Sequence, residues 1–182
     1  MLVMRVLTIA LVLILNLQSW TNADDIRDFQ IEGMSIGDSA LDYFSKNKIK
    51  SKKKNWYKGK KYSTSKIKNI QLSYKTNDSK YILVALDKTE LMDISKCSKE
   101  ITPIIDDISV LFNDKIKVVG PERIIHWADK SKKSWYDQYE FYFPTKGFIF
   151  VECYNWSKNV SWKDHLRVRI VSREFINFLN KE

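Results

Sequence analysis

Between Phe148 and Trp156 the chain reads as a strand with both faces apolar: Ile149, Val151 and Cys153 on one side, Phe148, Phe150, Tyr154 and Trp156 on the other. Side chains alternate between the faces of a strand, so this segment belongs inside a sheet with at least one face roofed by another element. The one segment long enough to be that roof is Ser95–Phe112, where Cys97, Ile101, Ile104, Ile105, Ile108, Leu111 and Phe112 fall on a single helical stripe. If this helix covers the Ile149–Cys153 face, the sulfurs of Cys97 and Cys153 meet. That geometry favours a disulfide over two buried thiols. A bridge across the 55 intervening residues contributes about 4 kcal/mol on the chain-entropy model. The aromatic row on the opposite face is either a second core layer or an exposed binding surface. Core is the reading favoured by the scarcity of large exposed apolar patches on soluble monomers.

Around this pair the pattern is one of hairpins and helices. Asp28–Ile36 reads as extended and Ala40–Ile49 as helical, followed by the Lys-rich KIKSKKKNWYKGKKY as a loop leading into a strand. Ile70–Tyr74 alternates, Thr76–Ser79 signals a turn, and Lys80–Asp87 is apolar enough for a buried partner strand. Pro103 predicts a kink in the long helix, or the start of its second part with Thr102 as cap. Asn113–Lys133 is poorly patterned, with a turn at Gly120-Pro121. Strands follow at Tyr136–Phe143, Phe148–Trp156 and Leu166–Val171, then a short helix at Arg173–Asn180. The predicted class is α+β, an antiparallel sheet of about five strands with two to three helices packed on it. Segments 70–112 and 136–180 each run from a hairpin to a helix, with too little identity to count as a repeat.

The chain opens MLVMRVLTIALVLILNLQSWTNADD. One Arg, an apolar run from Val6 to Leu17 and small residues before a cut after Ala23 have the three parts of a secretory signal peptide. The run is shorter than the roughly 20 residues that span a bilayer, and no Cys follows the cut to carry a lipid. The expected product is residues 24–182, a single α+β domain in the periplasm or secreted, an oxidising setting in which Cys97 and Cys153 pair. Lys outnumbers Arg by 25 to 6, a bias that AT-rich codon usage produces without any function.

Gly37-Asp38-Ser39 matches the nucleophile block of GDSL-type hydrolases. Ester attack by a serine needs a histidine base oriented by a carboxylate, and oxyanion donors. The residues three before His126 and His165 are Arg123 and Trp162, so the Asp-x-x-His pattern of that family is missing, as is its Gly-x-Asn-Asp block. A diverged pair of His165 and Asp164 is the remaining enzymatic alternative, and adjacent strand residues point to opposite faces. Ser39-Ala-Leu-Asp42 is instead explained as a capping box at a helix start, with Gly37 supplying the turn. No catalytic residue is assigned, and the chain is read as a non-enzymatic binding or envelope-associated domain.

Neither a metal site nor a cofactor is expected. Cys97, His126, Cys153 and His165 lack close ligand spacing, and no phosphate loop or dinucleotide fingerprint occurs. The segment that points to a partner is basic: Lys48, Lys50, Lys52, Lys53, Lys54, Lys58, Lys60 and Lys61 interleave with Trp56, Tyr57 and Tyr62. Lys130, Lys132 and Lys133 form a second group near Trp127 and Trp135. Lysines among interfacial aromatics suit an anionic envelope surface. Export argues against nucleic acid, and with this codon bias a merely solvated Lys-rich loop is the reading favoured over a functional one.

The pieces DDIRDFQIEGMSIGDSALDYFS, YNWSKNVSWKDHLRV and SREFINFLN resemble an uncharacterised family of small exported proteins from streamlined marine alphaproteobacteria. The resemblance spans most of the mature chain. It implies the bacterial envelope and carries no assigned activity. This chain departs from that pattern in its basicity and in the Lys-rich loop after the first helix.

Overall fold

The computed structural model describes residues 25–54, 61–144 and 146–181. The segment expected to be a signal peptide, and Trp56, Tyr57, Lys58 and Lys60 of the basic loop, lie outside these residues. Among them the chain forms one antiparallel sheet with helices, and none of the helices is long and apolar enough to cross a membrane.

The N-terminal segment is not extended throughout. Asp25 caps a single 3-10 turn, Ile26–Asp28, and Ile31 and Met34 then pair across a tight turn. The expected helix at 40–49 divides in two. Ser39 starts a 3-10 turn, Ala40–Asp42, and Ser45 separately caps α1, Lys46–Ser51. Ile26, Phe29, Ile31, Met34, Ile36, Ala40 and Ile49 from this region are all buried in the main core.

Among the described residues eight strands follow rather than about five. They are β1 (Lys53–Lys54), β2 (Tyr62–Ile67), β3 (Ile70–Lys75), β4 (Leu83–Leu91), β5 (Lys117–Ile125), β6 (Trp135–Phe143), β7 (Gly147–Asn155) and β8 (His165–Ser172), with β1 only two residues long. Their order is β1-β2-β3-β4-β8-β7-β6-β5, two meanders joined where β8 pairs with β4. The strand that the sequence pattern conceals is β5. It is an exposed edge, interrupted at the Gly120-Pro121 cis bond by a register shift between Val119 and Glu122, so it shows no alternation to read. Gly120 has φ of +121°, and a Cβ there would sit 2.5 Å from the Gln138 carbonyl oxygen.

Two helices complete the fold on opposite faces. The 19-residue helix α2, Ile94–Phe112, lies over β7 and β8, burying Cys97, Ile101, Ile108 and Phe112 against Ile149, Val151, Leu166 and Ile170. It runs as one element through Pro103 and is capped by Asp93, whose carboxylate accepts the Lys96 amide at 2.9 Å. Thr102 therefore starts no helix. Cys97 and Cys153 are disulfide-bonded, pinning α2 to the face of β7 that holds Ile149 and Val151. The short helix α3, Arg173–Leu179, packs Phe175, Ile176, Phe178 and Leu179 on the other face, against Tyr62, Val84, Phe150 and Val171. Because α2 and α3 roof opposite faces, segments 70–112 and 136–180 are not structural copies of each other.

Candidate functional site

Helix α3 shelters only one end of its face of the sheet. Beyond it, the same face of β4, β6, β7 and β8 carries polar, charged and aromatic side chains. The strand registers set them side by side: Asp87 opposite Arg169, Glu152 opposite Arg167, Tyr136 opposite Tyr154, and Tyr154 opposite His165.

At the centre is an ionised quartet. Asp87 accepts hydrogen bonds from Arg167 Nε at 2.8 Å and Arg169 Nε at 2.7 Å, and also from Arg167 Nη2. Gln71 donates to the same carboxylate at 3.4 Å. Glu152 lies 3.6 Å from Arg167 and 4.0 Å from Arg169. Asp87 and Glu152 are buried, whereas each guanidinium keeps about a fifth of its side chain open to solvent. Burial pushes the Asp87 carboxyl up, but the two arginines outweigh it and hold it below the usual carboxylate value. Two charges of each sign leave the cluster balanced, and no buried side-chain polar atom among the described residues lacks a partner.

An aromatic stack adjoins the quartet. Tyr154 donates to Glu152 at 3.3 Å and accepts from Arg167 at 3.1 Å. Its ring stacks on Tyr136 at 4.7 Å and on His165 at 4.5 Å. Trp156 lies 5.7 Å along the same row, 4.4 Å from His126 and 4.5 Å from Trp162. Burial lowers the pKa of both histidines, and nearby Arg167 lowers it further, so both are neutral at pH 7. Burial and then Glu152 raise the pKa of Tyr154 and Tyr136, which remain protonated donors.

The aromatic row of β7 thus divides. Phe148 and Phe150 pack with α3 as a second core layer, whereas Tyr154, itself buried, and the partly exposed Trp156 belong to the cluster beyond α3. Charges set within apolar strands, Asp87 at the end of the Leu83–Leu86 run and Arg167 and Arg169 alternating with Val168 and Ile170, were the signal that reading by hydrophobicity alone passes over.

The other sequence candidates lie elsewhere. Ser39 accepts the Leu41 amide at 3.2 Å and donates to the Lys80 carbonyl at 2.6 Å, which leaves it engaged at a turn. The acceptance is from two residues on, not three. Ser39 pairs with Ile82 at the start of β4, and His165 pairs with Leu91 at its end, so roughly 30 Å of strand separates them. Asp38 is occupied too, accepting from the Ser35 amide and the Tyr43 hydroxyl at 2.8 Å each. Asp164 accepts the Trp156 amide at 2.7 Å. No group of three or more metal-ligating side chains forms among the described residues. Of the basic segment, Lys52 and Lys53 are exposed beyond α1, and Lys61 pairs with Glu174 at 3.5 Å. Trp135 does not join the Lys130–Lys133 group in an exposed patch, because the Arg123 guanidinium covers its ring at 3.6 Å.

Protein-family models, curated proteins and solved structures, compared in turn, offer no match to this chain.

Proposed function

We propose that this chain is an exported, non-enzymatic binding domain of the bacterial envelope that holds its ligand against the uncovered half of the α3 face. One observation carries the reading: the buried, charge-balanced quartet of Asp87, Glu152, Arg167 and Arg169 continues directly into the ring stack of Tyr136, Tyr154 and Trp156. Ionised groups are costly to withdraw from water, and replacing such networks by apolar residues often leaves stability unchanged or raises it. A fold with this much core elsewhere has no structural need for one. Together the two halves set the partly open Arg167 and Arg169 guanidiniums beside the partly exposed rings of Tyr136 and Trp156. That combination suits a ligand with one polar end and one planar or hydrocarbon face.

Export rests on the N-terminal pattern, with which the Cys97–Cys153 disulfide agrees. The test is a native, non-reduced mass spectrum of the protein recovered from the envelope of the cells that make it. The expected mass begins at Asp24 and carries a bound small molecule that is absent from Tyr136→Leu and Trp156→Leu variants retaining the native melting temperature. A bare mass for all three proteins overturns the binding reading. A serine-reactive phosphonate that labels the protein and fails on Ser39→Ala would replace it with a hydrolase.

A further inference from the structure

One end of the sheet has a different character from the ligand face. Strands β4 and β5 finish there, at Leu91 and Ile125, and the connections β5–β6 and β7–β8 turn there side by side. Nine large hydrophobic residues are exposed among the described residues, and four gather at this end: Trp127 at 89%, Leu91 at 66%, and Ile125 and Trp162 at 51% each. The same two loops carry five exposed lysines, Lys130, Lys132, Lys133, Lys158 and Lys163, none of them in an ion pair among the described residues.

The acids of these loops point inward. Asp129 is buried, accepting from the amides of Ser131 and Ser134 at 2.9 Å and from their hydroxyls at 2.7 Å. Asp164 is spent on the Trp156 amide. Glu90 and Asp93, flanking Leu91, are the acids that remain at this end, and Lys96 stands beside them. The loops are also tied to each other, since the Ser157 amide donates to Ser134 Oγ at 3.0 Å and Trp162 packs on Trp156. Two indoles are therefore held in water by a braced, outward-cationic frame, not by a slack turn.

We propose that this end of the sheet docks on an anionic phospholipid bilayer. Indole rings partition to the headgroup level, where their apolar body and N–H are both satisfied. Lysines around them reach lipid phosphates while laying their stems along the apolar rim. Leu91 and Ile125 extend the apolar contact at the strand ends. The residues differ from those of the Lys48–Lys61 segment and from the quartet; Trp162 also packs on Trp156 of the ring stack, so the Lys130, Lys132 and Lys133 changes are the ones that separate docking from ligand binding.

Sedimentation with vesicles, monitored by tryptophan emission, tests this on the full exported chain. Vesicles of equal parts phosphatidylglycerol and phosphatidylcholine are expected to bind it at least about tenfold more tightly than pure phosphatidylcholine, with a blue-shifted emission. The pair Trp127→Ala and Trp162→Ala, and separately the triple change of Lys130, Lys132 and Lys133 to Gln, each lower the anionic binding about tenfold. Both sets are exposed, and unchanged melting temperatures confirm that folding is intact. Added salt weakens the lysine contribution. No preference for the anionic vesicles, or binding untouched by these changes but lost on Lys52→Gln and Lys53→Gln, overturns the proposal. So does equal affinity for a soluble polyanion such as dextran sulfate, which would mark a polyanion site and not a bilayer one.

Discussion

Changing Asp87 to Asn keeps the side chain's size and removes its charge, leaving Arg167 and Arg169 facing Glu152 alone. The bonds at stake are short, 2.8 Å to Arg167 and 2.7 Å to Arg169. Each such contact represents about 6 kcal/mol of gross attraction at an effective dielectric of 20, most of it cancelled by the cost of burial. Breaking one member out of a buried pair nets about 3–5 kcal/mol of destabilisation, because the partners are stranded. For a chain of this length that lowers the melting temperature by roughly 6–20 °C. Urea unfolding of wild type, Asp87→Asn, Arg169→Gln and the double variant measures it, with a coupling of about 1–3 kcal/mol expected between the two sites. The pH dependence has a definite sign. The folded carboxyl sits below its unfolded value near 3.9, so its contribution is complete above that value and is lost as pH falls through the folded one. The advantage of wild type over Asp87→Asn should accordingly hold steady from pH 5 to 8 and shrink below about 4. A melting point within about 2 °C of wild type at pH 7 would refute the ionised quartet.

Replacing both Cys97 and Cys153 by Ser is expected to cost about 4 kcal/mol, read as a shift in urea midpoint between the double variant and the oxidised parent. His126 and His165 have folded pKa values below the ordinary 6.5, so they contribute stability above that pH that fades as pH falls through the folded values. Melting temperature should therefore decline from pH 7.5 to 5, and less so in the His126→Gln, His165→Gln double variant. Pro103 is exposed in mid-helix and donates no amide. Pro103→Ala should raise stability by about 1–3 kcal/mol in thermal melts if the helix around it is otherwise regular.

The parts of the fold legible in the sequence are those with a strong period. Helix α2, strands β3, β6, β7 and β8 and the terminal helix all lie within a few residues of where alternation or helical spacing puts them. The facing of Cys97 on α2 and Cys153 on β7 was readable because helix and strand periods both place a sulfur on the apolar side. What stayed hidden has physical reasons. Strand β5 is an edge with a bulge and exposed side chains, so burial leaves no pattern on it. The split of residues 40–51 into two turns depends on Ser45 capping α1, which competes with the Ser39 cap only a few residues earlier. The site was the least legible part. Asp87, Glu152, Arg167 and Arg169 come from three strands, and only the pairing of β8 with both β4 and β7 brings them together. Likewise, Trp127 and Trp162 are 35 residues apart in sequence, and both flank the His126 ring because the pairing of β5 to β8 brings their loops together.

The most direct test of the ligand face is a nitrogen–proton correlation spectrum of the protein, observing tryptophan indole and arginine Nε signals while an extract of the producing cells' envelope is added. The account predicts shifts confined to Trp156, Arg167 and Arg169, suppressed by Tyr136→Leu. Unmoved signals at these three residues, with shifts instead at the amides of Lys52 and Lys53, would contradict it and move the binding surface to the basic segment.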